Sequence, residues 1–169
     1  MNGLRNLLKY KSIVKEAFDK TFLAGKLFCV LHVTNTYICS PLLGHGPSML
    51  PTLKLTGDWI LSEKISIRLG KVRNGDMVTA RSPENPKKIV VKRIMGMEGD
   101  TVTYIVDPKN SEKCRTITVP KGHVWIQGDN IYSSNDSRHF GSIPYSLVEG
   151  KVFFRIWPVD GFGSLGQEV

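Results

Sequence analysis

Between residues 4 and 22, apolar side chains recur at roughly helical spacing among lysines: Leu4, Leu7, Leu8, Ile13, Val14, Ala17, Phe18 and Phe22. The spacing predicts a basic amphipathic helix of the kind that lies on a membrane. From Leu27 to Leu43 the chain is free of Asp, Glu, Lys and Arg for 17 residues, close to the shortest length that spans a bilayer. His32, Asn35 and the threonines make this a weak span, and a buried core helix would carry the same signature. Past residue 44 the period shortens. Apolar or β-branched runs at 59–61, 77–80, 89–95, 101–106, 116–119, 124–127 and 152–157 are punctuated by the pairs Gly57-Asp58, Gly75-Asp76, Gly99-Asp100 and Gly128-Asp129. This pattern predicts a mainly antiparallel β domain, with a polar loop over 81–88 and no long helix. The expected division is an N-terminal anchor segment over 1–43, a β-rich domain over 44–159 and a loose, glycine-containing tail over 160–169.

Charge refines that picture. The chain of 169 residues carries a formal net charge of +8, with an isoelectric point near 9.5. Half of the excess lies in the first 26 residues. Beyond them, basic and acidic residues are interspersed without a basic helix or an aromatic-laced basic stripe, so nucleic-acid binding has little support. The basic N-terminus also resembles a mitochondrial presequence, although Glu16, Asp19 and the excess of Lys over Arg weigh against it. Cys29, Cys39 and Cys114 are odd in number and lack close spacing, and the four histidines are scattered. Neither a disulfide framework nor a metal site is indicated, and the expectation is a protein without a cofactor.

Chemistry enters at Gly46-Pro47-Ser48-Met49-Leu50-Pro51-Thr52, where two prolines constrain the backbone on either side of a serine. A serine held this way can be aimed as a nucleophile if a base lies near it. In Ile89-Val90-Val91-Lys92-Arg93-Ile94-Met95, period-two alternation puts Lys92 on one face and Arg93 on the other. If Lys92 faces the interior, desolvation lowers its pKa and leaves an amine able to take the Ser48 proton. The alternative is a lysine stem at a sheet edge with its head in water. A third cluster runs from Gly128 to Gly141 and is dense in hydroxyls and carboxylates. There Asp129 and Asp136 can each pair with Arg138 and so stiffen the loop around the base.

Four stretches, in this order, resemble the motifs of the type I signal peptidases, membrane-bound serine proteases that use a Ser-Lys dyad. They are Pro47–Thr52, Asn74–Val78, Lys92–Asp100 and Gly128–Gly141, within a match from Gly46 to Pro144. The wording of the motifs, the basic N-terminus and the compact insert at 107–114 most resemble the mitochondrial inner-membrane branch of the family in its plant form. The resemblance implies a catalytic domain of coiled antiparallel β-sheet with an N-terminal helical membrane segment. It implies Ser48 as nucleophile, Lys92 as general base and Ser134 as the hydroxyl that orients the lysine, with Asp129, Asp136 and Arg138 shaping the site. It further implies presequence-bearing precursors as substrates, a related second subunit as heterodimeric partner, contact with membrane lipid, and a catalytic domain facing the intermembrane space. Two departures stand out. Gly46 occupies the position where many bacterial members carry a hydroxyl that donates to the oxyanion, a donor typically worth about 3 to 4 kcal/mol in the barrier. Glu98 stands where they usually have proline, a change expected to alter the substrate side more than the dyad.

Three other readings are compatible with parts of the sequence. A signal peptidase of a bacterial or secretory membrane would use the same dyad. A self-cleaving DNA-binding regulator would account for the high isoelectric point and the Ala24-Gly25 pair, yet no helix-turn-helix is evident over 1–45. A catalytically dead membrane scaffold is opposed by the presence of both Ser48 and Lys92.

Overall fold

The computed structural model describes residues 2–107 and 110–165. It divides into two units, Met1–Ile38 and Cys39–Val169. The first unit is one continuous helix, α1 (Asn2–Val33), closed by a π-helical turn over Thr34–Ile38. The side chains of Leu4, Leu7 and Leu8 lie outside the described residues. Ile13, Val14, Phe18, Phe22, Leu27, Phe28 and Leu31 are exposed along α1, and Phe22 carries the Lys26 ammonium 4.4 Å from its ring centre.

The expected 27–43 segment is not one helix. Its last five residues open strand β1 (Cys39–His45), which pairs with β2 (Thr56–Glu63). The reason is Pro41, which has no N–H for a helix and pushes Ser40 away from helical geometry, yet is tolerated on an edge strand. Among the described residues no helix is long and apolar enough to cross a membrane. The N-terminal helix expected from the sequence is present as α1, and the 27–43 stretch divides among its end, the π-helical turn and β1.

The second unit is mainly β and antiparallel. Its strands are β1, β2, β3 (Met77–Arg81), β4 (Ile89–Gly96), β5 (Thr101–Asp107), β6 (Asn110–Thr118), β7 (His123–Gln127), β8 (Ile143–Pro144), β9 (Val148–Trp157) and β10 (Gly163–Ser164). They form a curled sheet in the order β1-β2-β9-β3-β4-β7-β8 with β10 on β9, and β5 and β6 make a separate hairpin. Every run read from the pattern falls in a strand, apart from Val119 just past β6, and the α-helices here, α2 (Ile65–Arg68) and α3 (Ser137–Phe140), are single turns. The insert at 107–114 includes Pro108 and Lys109, which lie outside the described residues, as do residues 166–169 of the tail. Up to Leu165 the tail is tied down rather than loose, because Gly163 and Ser164 pair with Arg155 and Phe154.

Three apolar clusters fill the domain. Val78, Ala80, Ile94, Val124 and Ile126 form one, and Val102, Val119 and Trp125 support the hairpin. The third positions the site: Met49 and Leu53 are buried with Ile60, Met77 and Val152. Spaced four apart, they pull the turn around Ser48 down onto the sheet. Each fully buried side chain of this size contributes about 1.5 to 3 kcal/mol.

The Gly-Asp pairs do two jobs. Gly57, Gly75 and Gly99 adopt positive φ in turns. The aspartates after them accept backbone N–H groups, Asp58 from Lys54, Asp76 from Arg73 and Asp100 from Met97. Gly128 is not among the residues with positive φ, and Asp129 bonds side chains instead. That pair belongs to the site.

Candidate active site

Ser48 sits in a single 3-10 turn, Pro47–Met49, entered through Gly46 at φ 107° and ψ 160°. Only glycine occupies that backbone region without strain, so this turn cannot carry at position 46 the hydroxyl that many bacterial relatives place there. The Gly46 N–H is itself spent on the Leu55 carbonyl at 2.8 Å.

Lys92 is the inward cation of β4, only 3% exposed, and shares its buried face with Ile94 and Gly96. Ser48 and Lys92 line the same cavity, about 610 Å³ in volume. Burial lowers the Lys92 pKa to about 8, a shift opposed by the nearby carboxylates of Asp136 and Asp129 and reinforced by Lys88 and Arg138. About one amine in ten is then neutral at pH 7.

Asp136 is fully buried and caps α3. Its Oδ1 accepts from Arg138 Nε at 2.8 Å, and its Oδ2 accepts from Arg138 Nη2 at 2.6 Å, Ser134 Oγ at 2.6 Å and the Gly128 N–H at 2.8 Å. Burial alone would raise this carboxyl, but the bonds from Arg138, Gly128 and Ser134 outweigh it and hold the group below its ordinary value. Because the Ser134 proton points to Asp136, the oxygen's lone pairs are what remains to meet a lysine N–H.

Asp129 does not pair with Arg138, as the sequence allowed. It is clamped by Arg93, Nε to Oδ1 and Nη2 to Oδ2, both at 2.8 Å, and it accepts the Thr52 hydroxyl at 2.6 Å. These bonds overcome the upward push of burial and depress its pKa. One carboxylate thus joins the end of the serine turn to the residue beside Lys92. Arg93 faces away from the lysine, as the alternation predicts, and its partner is what sequence reasoning missed.

Two more residues went unrecognised. Asn130 donates its N–H to the Ser48 carbonyl at 3.0 Å and its Nδ2 to the Pro47 carbonyl at 3.1 Å. At Gly128, an added Cβ would lie less than 3.0 Å from Ser134 Oγ and from the Ser48 carbonyl oxygen. Gly128 is where the serine turn and the Ser134 loop touch. Only the Gly-Asp-Asn wording marked either position. Glu98 accepts the Gly122 N–H at 2.7 Å and is not part of the cavity lining, so its effect is on a distant turn rather than on the substrate side.

The family model described as signal peptidase, peptidase S26, matches residues 18–109 and 105–157. The chain is 54% identical over 165 residues to mitochondrial ATP-independent inner membrane protease subunit 1a of Arabidopsis thaliana, covering 98% of both. It is 38% identical over 117 residues to mitochondrial inner membrane protease subunit 2 of Danio rerio, covering 67% of this chain and 61% of that one. Among solved structures it is similar to a signal peptidase I from Enterococcus faecalis V583, with 26% identity, a TM-score of 0.41, and coverage of 47% of this chain and 95% of that one.

Proposed function

The chain belongs to the signal peptidase family, peptidase S26, and is a serine peptidase of that type; from this premise we propose that it is a mitochondrial inner-membrane endopeptidase that removes sorting presequences with Ser48 and Lys92. The observation that carries the reading is a buried lysine with its pKa lowered to about 8, lining one cavity with a serine anchored from both sides.

The neutral fraction of Lys92, which desolvation enlarges, takes the Ser48 proton as Oγ attacks the scissile carbonyl, and the N–H of Ser48 receives the oxyanion. The ammonium then protonates the leaving amine. The ester-linked acyl-enzyme is hydrolysed by a water that the same amine activates. Ser134 orients Lys92, and Asp136 with Arg138 holds Ser134, while Asp129 with Arg93 and Thr52 holds the serine turn.

The cavity wall suits an extended peptide. Toward β7 the last pair of β4 is Arg93 with Gln127, so residues 89–92 run beyond β7 on that edge and pair only with β3 on the other. That edge lines the cavity, as do Leu43 to Gly46, and leaves backbone groups for a substrate strand. The catalytic domain works in the intermembrane space on precursors held at the membrane. The partner is a related second subunit, in keeping with the subunit names of the relatives.

The test is cleavage of an intermembrane-space presequence substrate by membranes carrying the wild-type chain, Ser48→Ala or Lys92→Met, at equal levels of partner. Both variants should accumulate and leave the substrate uncut. Comparable cleavage by Lys92→Met would exclude the lysine as base.

A further inference from the structure

The segment from Lys64 to Arg73 carries four cations, Lys64, Arg68, Lys71 and Arg73, and no acidic residue. Glu63, just before it, is turned back, its Oε2 accepting the N–H groups of Ile65 at 2.7 Å and Ser66 at 2.9 Å. The segment is firmly seated. Ile67 and Val72 pack into the core, and the Ile67 carbonyl accepts the Tyr145 hydroxyl at 3.2 Å. What remains outside is both apolar and basic: Ile65 is 46% and Leu69 59% exposed, among exposed Arg68, Lys71 and Arg73.

We propose that α2 and the turn after it form a docking surface for an anionic lipid headgroup layer, with Ile65 and Leu69 dipping into the interface and Arg68, Lys71 and Arg73 meeting headgroup phosphates. Apolar tips surrounded by cations match the boundary between acyl chains and negative headgroups. Nucleic acid would use the cations and leave the isoleucine and leucine without a role. Register supplies the second argument. Cys39, the first residue of the catalytic unit, pairs directly with Glu63, two residues before α2. Only Thr34–Ile38 separates α1 from Cys39, a stretch of at most about 18 Å even when fully extended. A bilayer that holds the N-terminal helix is therefore within reach of this end of the domain. The inference rests on reading the chain as membrane-bound.

The test uses the full chain with Cys29, Cys39 and Cys114 replaced by serine and a fluorophore attached at Leu69→Cys. The chain is reconstituted in phosphatidylcholine vesicles with or without phosphatidylglycerol. With phosphatidylglycerol present, the label should be quenched several-fold better by a lipid-soluble quencher than by an aqueous one. A control label at exposed Thr103 should stay accessible to water. Omitting the anionic lipid, adding salt, or combining Arg68→Gln, Lys71→Gln and Arg73→Gln should return the Leu69 label to water. The same triple variant should keep the wild-type far-UV circular dichroism spectrum and Tm in detergent, which shows that it is folded. The proposal is overturned if the Leu69 label stays in water on anionic vesicles, is shielded equally on neutral ones, or is shielded only when another inner-membrane protein is added. Because the readout is a label and not cleavage, failure here is distinct from failure of the Ser48 and Lys92 assignment.

Discussion

Replacing Lys92 with Met should abolish cleavage and at the same time make the protein more stable. The physical reason is the cost of keeping an ammonium in a buried site. The folded-state pKa is about 8 against an ordinary value of 10.5, so below pH 8 the folded protein carries a penalty of about 3 kcal/mol relative to a neutral side chain. The sign follows from linkage. Between pH 8 and 10.5 the unfolded chain binds the proton and the folded chain does not, so wild-type stability rises with pH across that window. Below it the penalty is fully present, and above it the penalty vanishes. Met has similar length and no charge, so packing should change little. Chemical denaturation of both proteins in detergent, from pH 6 to 11, would read the difference directly. Lys92→Met should gain about 3 kcal/mol near pH 7, or about 10 °C in Tm for a domain of this size. The gain should shrink to near zero by pH 11, while Ser48→Ala tracks the wild type throughout. A pH-independent difference, or a variant no more stable at pH 7, would refute the desolvated lysine and with it the general base.

The other expectations are simpler to state. The kcat/KM of the wild type should rise about tenfold per pH unit up to a midpoint near pH 8. Lys88→Gln should move that midpoint upward in a pH-rate profile, because Lys88 helps to lower the Lys92 pKa. Gly128→Ala should force the Ser48 carbonyl and Ser134 apart and lower kcat/KM by about a hundredfold, with the folded far-UV circular dichroism spectrum retained. Asp136→Asn should cost about 3 to 5 kcal/mol in denaturant titrations, because it breaks the buried pair and leaves Arg138 without its counter-charge. The depressed pKa of Asp136 contributes stability that is present above the ordinary carboxylate value and lost as pH falls below it. Acid titration of the Asn variant should therefore show a shallower loss below about pH 4.

The strands were legible because β-branched and apolar runs report locally which faces of a short segment are buried. The alternation around Lys92 and Arg93 separated the two cations correctly for the same reason. Pro41 is the signal that would have ended the 27–43 helix early, but an uncharged run outweighs one proline when hydropathy alone is read. The 32-residue length of α1 was hidden by Ala24-Gly25-Lys26, which breaks the apolar pattern without breaking the backbone.

By itself the sequence determined the chemistry on offer: a serine between prolines, a lysine and an arginine on opposite faces of one strand, a loop of hydroxyls and carboxylates, and their order along the chain. It could not decide which charges meet. Asp129 reaches Arg93 across 36 positions and Thr52 across 77, while Asp136 keeps the near neighbour Arg138. Local spacing allowed Arg138 to serve either carboxylate. The choice is made where β4, the serine turn and the 128–138 loop converge, because the buried Asp136 and the partly buried Asp129 each need hydrogen bonds there and one guanidinium cannot satisfy both. Gly128 shows the same division. Its sequence context marks another Gly-Asp turn, and only the close approach of Ser48 and Ser134 makes the missing side chain a condition for assembling the site.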